Sequence, residues 1–195
     1  MTKEELISFE RAIADDFNAG LIPFPIHLSG GNEDRLIEIF KEFKAGDYCF
    51  STWRSHSHAL LAGVPPAKVK QAIMEGRSIT LAWPEHRFLS SAIVAGCCPI
   101  ALGVAWQIKQ RGGKETVWCF IGDMAARTGL FRECVNYRTA FQLPLQWVIE
   151  VNGKSVCTVT DEAWGNLHNG DWSHINSYNY ELPWPHAGAG VRVSF

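Results

Sequence analysis

Two polar turns in this chain carry side chains that could bind a divalent cation. Asp123 follows the apolar run 116–121, and Asn152 follows the apolar run 145–151. Mg²⁺ prefers oxygen ligands and usually takes one or two from protein side chains, while phosphate oxygens and water supply the rest. A carboxylate and an amide brought together would therefore suit a magnesium ion that holds a phosphorylated ligand.

A second group of polar residues follows the run 47–52, which we interpret as a short strand. It contains Trp53, Arg54, His56 and His58. An arginine beside an aromatic ring and two imidazoles, at the end of a strand, suits an anion such as a phosphate group. The same stretch is equally consistent with a solvated turn around a half-buried tryptophan, and the residues alone leave both interpretations open.

The elements around the first two turns explain how Asp123 and Asn152 could meet. The two apolar runs are short and rich in β-branched and aromatic residues, as buried strands are. Between them Phe131, Cys134 and Val135 recur at helical spacing. A strand-helix-strand unit makes its strands parallel, so that their carboxyl ends meet at the edge where open α/β sheets bind ligands. The sequence predicts an α/β fold with a magnesium-diphosphate site at this edge, although two polar turns that merely end their strands would fit the spacing equally well.

Further amphipathic patterns predict helices elsewhere in the chain. They lie at 4–18, 33–44 and 67–74, and within 90–109, where the pattern becomes regular after Pro99. The run 78–91 alternates like a strand until a proline interrupts it, and 190–195 is interpreted as one more strand. Together these patterns predict a three-layer sandwich with a mainly parallel sheet.

Composition and charge limit the function classes. The chain has 195 residues, of which 47% are hydrophobic, and no linker or repeat divides residues 1–195, so we expect one domain. A formal net charge of −2 without a Lys/Arg cluster argues against nucleic-acid and membrane-surface binding. The acidic N-terminus is unlike a signal or transit peptide, so we expect a cytoplasmic protein. The six cysteines form no Cys-x-x-Cys pair and are expected to be small buried side chains.

Four ordered segments resemble motifs of the thiamine diphosphate-dependent 2-oxoacid dehydrogenases, in the form of their alpha subunit of the pyruvate and branched-chain type. The resemblance spans about residues 25 to 160. The segments are His27-Leu28-Ser29 with Gly31 and Glu33 for "H-x-S-x-G-x-E", Trp53-Arg54-Ser55-His56 for "Y-R-x-H", Ala92-Ile93-Val94 with Pro99 and Gly103 for "G-I-V-G…P…G", and Gly122-Asp123 through Glu150-Val151-Asn152 for "GDG…NN".

The resemblance implies a thiamine diphosphate-binding fold, in which this chain would be the diphosphate-binding domain. Asp123, Asn152 and the carbonyl of Lys154 would hold Mg²⁺. The other implied cofactor contacts fall on Trp53 and Arg54, on Gly122, Met124 and Ala125 in the turn, and on Ala92 and Val94 at the aminopyrimidine. Met124 stands where the motif has glycine, which backbone contacts to the diphosphate would tolerate.

The resemblance also implies a partner and a reaction. In such enzymes the cofactor lies between two subunits, so a pyrimidine-binding beta-type subunit would supply the activating glutamate, in a dimer or heterotetramer. The pair would decarboxylate a small 2-oxo acid and transfer the acyl or aldehyde unit. The family's later histidine-bearing loop falls beyond Phe195, which implies a chain shortened at the C-terminus, and His56 or His58 would then act as the acid/base group.

Two rival interpretations remain at this point. One is a split transketolase-like subunit that moves two-carbon units between sugar substrates. The other is a non-catalytic subunit that keeps the fold and stabilises a partner. All three interpretations place the thiamine diphosphate site, active or inactive, at the same edge of the sheet.

Overall fold

The computed structural model describes residues 1–165, 175–186 and 193–195. Within these ranges six strands form one sheet, and two more form a separate hairpin. The strands are β1 Tyr48–Ser51, β2 Ala82–Trp83, β3 Phe88–Ser90, β4 Val117–Gly122, β5 Leu145–Val151, β6 Lys154–Ser155, β7 Thr158–Val159 and β8 Asn176–Asn179. Residues 190–192 of the predicted strand at 190–195 lie outside the described residues, and residues 193–195 form no strand.

Helices connect most of the strands. They are α1 Lys3–Asn18, α2 Glu33–Phe40, α3 His56–Leu61, α4 Pro66–Met74, α5 Cys97–Gln110, α6 Asp123–Ala126, α7 Gly129–Ala140 and α8 Thr160–Trp164, with a single 3-10 turn at Pro84–His86. None of the helices in the described part of the chain has the length and apolar character needed to cross a bilayer.

The predicted α/β class and the mainly parallel sheet are confirmed. The strand order is β2-β3-β1-β4-β5-β8, and only the β2–β3 pair is antiparallel. Strands β4 and β5 run in register from Val117 opposite Leu145 to Gly122 opposite Glu150. This register sets the turn after β4 beside the turn after β5, which is the arrangement predicted for the two polar turns.

Both faces of the sheet are covered, which gives three layers. On β4, Trp118 and Phe120 pack in the cluster that includes α1 to α4, whereas Cys119 and Ile121 pack in the cluster that includes α5 and α7. Because both faces are buried, the strand is apolar at nearly every position instead of alternating. Five of the six cysteines are buried as predicted, and Cys157 is exposed.

The sequence prediction missed three short helices, α3, α6 and α8, and misjudged several boundaries. The polar stretch predicted as a turn up to His58 becomes α3 from His56 onward, since its two histidines find hydrogen-bond partners inside the protein, Ser78 for His56 and Ser51 for His58. Helix α5 begins at Cys97, before Pro99, because a proline in the first turn of a helix costs no hydrogen bond. Helix α2 ends at Phe40, four residues earlier than predicted.

Replacing Gly31 with alanine is expected to destabilise the protein strongly. Gly31 has a φ of +83°, and a Cβ there would lie 1.9 Å from the backbone carbonyl oxygen of Glu181. The left-handed conformation alone costs a side chain about 1–2 kcal/mol, and the backbone clash adds to it. Gly20 is a matched control, because its φ is +76° and nothing lies within 4 Å of its Cβ position. Urea unfolding should show a clearly larger loss for Gly31→Ala than for Gly20→Ala; equal losses would contradict the close approach of the Glu181 carbonyl to Gly31.

Candidate cofactor site

A cleft of about 680 Å³ of empty space, counting its open mouth, lies at the carboxyl edge of the sheet. All ten residues that the sequence predicted as cofactor contacts line it. They are Trp53, Arg54, Ala92, Val94, Gly122, Asp123, Met124, Ala125, Asn152 and Lys154. The fold therefore brings the predicted residues together in one cleft.

The topology explains why these segments meet. Every lining segment directly follows a strand of the parallel part of the sheet: 52–54 follow β1, 91–95 follow β3, 123–125 follow β4, 152–156 follow β5, and Tyr180 follows β8. Ligands of open α/β sheets bind at this edge because the loops after parallel strands converge there.

Asp123 is a buried carboxylate of the cleft, with 8% of its surface exposed. Its Oδ2 accepts a hydrogen bond from the Thr160 hydroxyl at 2.5 Å, while its Oδ1 has no hydrogen-bond partner among the described residues. Burial raises the pKa of Asp123, and the Thr160 hydroxyl together with nearby backbone N–H groups, including that of Asn152, opposes the rise. A buried carboxylate oxygen without a partner is costly unless a cation or donor binds it.

Asn152 lies beside Asp123 at the end of β5. Its Oδ1 accepts from the backbone N–H of Lys154 at 3.1 Å, and its Nδ2 donates to the hydroxyl of Tyr180 at 3.2 Å. An amide oxygen has a second lone pair, so Oδ1 can also bind a metal ion.

Lys154 begins the β6–β7 hairpin. The carbonyl of Gly153 accepts from the backbone N–H of Thr160 at 2.9 Å, and the next pair, Lys154 opposite Val159, is therefore a non-hydrogen-bonded one. In such a pair the carbonyl of Lys154 points away from the partner strand. The unpartnered Asp123 oxygen, the Asn152 amide and this carbonyl are all oxygen ligands, so the residues present fit a magnesium ion.

Arg54 is the cation of the cleft. Its Nη1 donates to the carbonyl of Leu28 at 2.5 Å. Burial lowers the pKa of Arg54, and the neighbouring Tyr180, Glu10 and Glu150 act in the opposite direction. A guanidinium stays charged under these conditions and, largely removed from water, would attract a diphosphate strongly.

Glu150 also lines the cleft, although sequence analysis assigned it no role. Its Oε1 accepts from the Tyr178 hydroxyl at 2.5 Å and from Asn32 Nδ2 at 2.9 Å, and it lies 3.3 Å from His58 Nε2. One feature of the sequence could have marked Glu150: it is a glutamate in an otherwise apolar strand, and a buried glutamate needs polar partners.

The prediction that His56 or His58 supplies an acid/base group is not supported by their positions. The two side chains are 0% and 2% exposed and do not line the cleft. His56 Nδ1 lies 3.1 Å from Glu10 Oε1 and its Nε2 lies 2.9 Å from Ser78 Oγ, while His58 Nδ1 lies 3.2 Å from Ser51 Oγ. Helix α3 turns both imidazoles toward these polar partners, which gives them a structural setting.

His27 should make stability depend on pH. Its ring stacks on His186 at 4.6 Å and lies tilted against Trp53 at 5.1 Å, and burial, with the charge of Arg54, lowers its pKa from 6.5 to about 3. The unfolded chain therefore binds a proton that the folded chain excludes between these two values. The free energy of unfolding should therefore fall by about 1 kcal/mol between pH 7 and pH 5.5, and further at lower pH.

Urea unfolding at pH 7, 5.5 and 4.5 checks this expectation. His27→Gln should flatten the decline in unfolding free energy, whereas His86→Gln, in the 3-10 turn away from the cleft, should leave it unchanged. An unaltered decline in His27→Gln would contradict the assignment.

Comparison with known proteins places these residues in a family context. Residues 1–165 match the family model described as Dehydrogenase E1 component. The pyruvate dehydrogenase E1 component subunit alpha of Porphyra purpurea is 31% identical over 162 residues, which cover 74% of this chain and 47% of that protein. The alpha subunits of acetoin:2,6-dichlorophenolindophenol oxidoreductase from Cupriavidus necator and Bacillus subtilis are 31% and 29% identical, over 78% and 82% of this chain and 49% and 51% of theirs. The chain thus spans about half the length of these relatives.

Proposed function

The chain belongs to the dehydrogenase E1 component family, and from this premise we propose that it is the thiamine diphosphate- and Mg²⁺-binding alpha-type subunit of an enzyme that decarboxylates a 2-oxo acid. The observation that carries the proposal is the single cleft after the parallel strands, in which a buried Asp123 oxygen lacks a partner among the described residues. When bound, thiamine diphosphate supplies an electron sink for the decarboxylation.

Different residues of the chain would bind the metal, the diphosphate and the aminopyrimidine. Asp123 Oδ1, the Asn152 amide oxygen and the Lys154 carbonyl would hold Mg²⁺, and Arg54 would pair with the diphosphate. The Gly122 turn lets the backbone N–H groups of residues 124–125 face the same anion. Backbone atoms of residues 92–94, which follow β3 into the cleft, would contact the aminopyrimidine. Trp53 would form an apolar wall beside Arg54.

The proposal includes a partner. Ile93 and Val94 line the cleft, yet 75% and 54% of their surfaces are exposed, and Val156 beside them is also exposed. Exposed apolar side chains around a cleft are typical of an interaction surface. We assign this surface to a pyrimidine-binding beta-type subunit that supplies the activating glutamate, in a dimer or heterotetramer, with residues 1–195 as one diphosphate-binding domain. The cytoplasmic location stays a prediction.

Calorimetry on the purified chain tests the cofactor part. Thiamine diphosphate should bind with one-to-one stoichiometry in the presence of Mg²⁺ and should fail to bind in EDTA. Thiamine monophosphate, which lacks one phosphate, is the matched control and should bind at least about tenfold more weakly, because it loses charge-assisted hydrogen bonds. The proposal would be contradicted if EDTA left the binding of thiamine diphosphate unchanged and thiamine monophosphate bound equally well.

Turnover tests the remaining rivals. The family match favours the dehydrogenase type over the split transketolase-like subunit. With a beta-type partner present, release of CO₂ from a 2-oxo acid would support the catalytic subunit. Cofactor binding without CO₂ release in that complex would favour the non-catalytic subunit.

A further inference from the structure

Tyr180 lies beyond the residues 1–165 that the family model covers, yet its side chain lines the cleft. We propose that Tyr180 is a further cofactor-binding residue, whose phenolic O–H donates a hydrogen bond to the diphosphate. The inference rests on the proposed function, because it requires a diphosphate held beside Arg54 and Asp123. It deepens that function by assigning a ligand contact to the segment after β8.

The backbone fixes where Tyr180 lies. Strand β8 runs parallel to β5 as far as Asn179 opposite Val151. The N–H of Tyr180 then donates to the carbonyl of Val151 at 2.9 Å. This backbone hydrogen bond holds Tyr180 next to Asn152. The ring can leave the cleft only if that bond breaks or the side chain changes rotamer.

The hydroxyl of Tyr180 has an unused proton. Within the described ranges its one hydrogen bond is the contact with Asn152 Nδ2 at 3.2 Å, in which the hydroxyl accepts. A phenol can donate as well as accept, so its O–H is available to an acceptor in the cleft. A phenol is ordinarily protonated at neutral pH, so the group is a donor there.

The surroundings favour an anionic acceptor. Tyr180 lines the same cleft as Arg54 and Asp123, and its hydroxyl contacts the amide of Asn152. Hydrogen bonds to ionised oxygens are roughly twice as strong as neutral ones. A diphosphate that is bound to the metal and to Arg54 would present such oxygens to this donor.

Tyr178 provides an internal comparison. It lies two residues earlier on β8, and its hydroxyl donates to Glu150 Oε1 at 2.5 Å and accepts from Asn32 Nδ2 at 3.0 Å. Its proton is already used inside the protein. The two tyrosines therefore differ in a definite way, since one hydroxyl completes a buried network and the other faces the cleft with its proton free.

The test measures binding of Mg²⁺-thiamine diphosphate and Mg²⁺-pyrophosphate to the purified chain, to Tyr180→Phe and to Tyr137→Phe. Tyr137 is an exposed residue of α7 and serves as the matched control. Tyr180→Phe should raise the dissociation constants of both ligands about tenfold, as expected for loss of a hydrogen bond to a charged group. Tyr137→Phe should leave both unchanged. Thermal unfolding of each variant verifies that the fold is retained.

Each of the other outcomes would contradict either the inference or the proposed function. If the unmodified chain binds both ligands and Tyr180→Phe binds them equally well, the inference is wrong while the proposed function stands. If Tyr180→Phe loses affinity for thiamine diphosphate and keeps it for pyrophosphate, the hydroxyl acts away from the diphosphate and the inference is also wrong. If the unmodified chain binds neither ligand, both alone and with a beta-type partner present, the proposed function fails and the inference fails with it.

Discussion

Asp123→Asn is expected to abolish Mg²⁺-dependent binding of thiamine diphosphate while leaving the fold intact. The substitution removes the negative charge that would bind the metal and keeps the shape of the side chain. Loss of a charged ligand should lower the affinity by more than about 100-fold, the upper end of what loss of a supporting residue costs. Calorimetry with Mg²⁺ and thiamine diphosphate measures the effect directly.

The stability of the same variant separates a metal ligand from a structural residue. Asp123 is buried with one oxygen lacking a partner among the described residues, so neutralising it relieves a desolvation cost. The unfolding free energy should stay the same or rise in the absence of ligand. Asp15→Asn, the same change at an exposed residue of α1, should affect neither quantity. A large loss of stability in Asp123→Asn with unchanged cofactor affinity would mean that the carboxylate is structural.

Glu10→Ala is expected to lower the unfolding free energy by about 3 kcal/mol or more, the usual cost of removing one partner from a buried ion pair or hydrogen-bonded pair. The Glu10 carboxylate on α1 is buried, and both of its oxygens lie within 3.2 Å of His56 Nδ1. Removing it leaves the imidazole without this partner between α1 and α3. Glu4→Ala, at an exposed position of the same helix, should have little effect.

The cofactor affinity of these variants tests the role of His56. Because His56 does not line the cleft, the folded fraction of Glu10→Ala should bind Mg²⁺ and thiamine diphosphate as the unmodified chain does. Glu10→Gln keeps an acceptor for the imidazole and should recover part of the stability. If Glu10→Ala or Glu10→Gln were as stable as the unmodified chain but failed to bind the cofactor, His56 would have a role in cofactor binding.

Sequence patterns predicted the centre of the fold because the relevant signals are local. The apolar runs of β4 and β5 and the helical spacing of Phe131, Cys134 and Val135 on α7 depend on neighbouring residues alone, and all three of those side chains are buried. Parallel pairing then set the two polar turns side by side. Other cleft residues, such as Ala92 and Val94, were implied by the family resemblance, because Pro84 interrupts the strand pattern that precedes them.

The parts that sequence patterns missed depend on partners distant in the chain. His56 reads as an exposed polar residue until Glu10 and Ser78, 46 and 22 positions away, are brought to it. The polar strand β8 has no apolar run, and its place at the sheet edge becomes visible only through its pairing with β5. For the same reason neither Glu150 nor Tyr180 could be assigned to the cleft in advance.

The most direct test of the central claim is the position of a metal ion. Crystals of the chain grown with Mn²⁺ and thiamine diphosphate can be measured at an energy where manganese scatters anomalously. We expect one anomalous peak at about 2.1–2.2 Å from Asp123 Oδ1, close to the octahedral distances of the Mg²⁺ that it replaces, with the Asn152 amide oxygen and the Lys154 carbonyl among the other ligands. A bound cofactor whose metal lies elsewhere, or a cleft that stays empty of manganese at saturating concentration, would contradict the account.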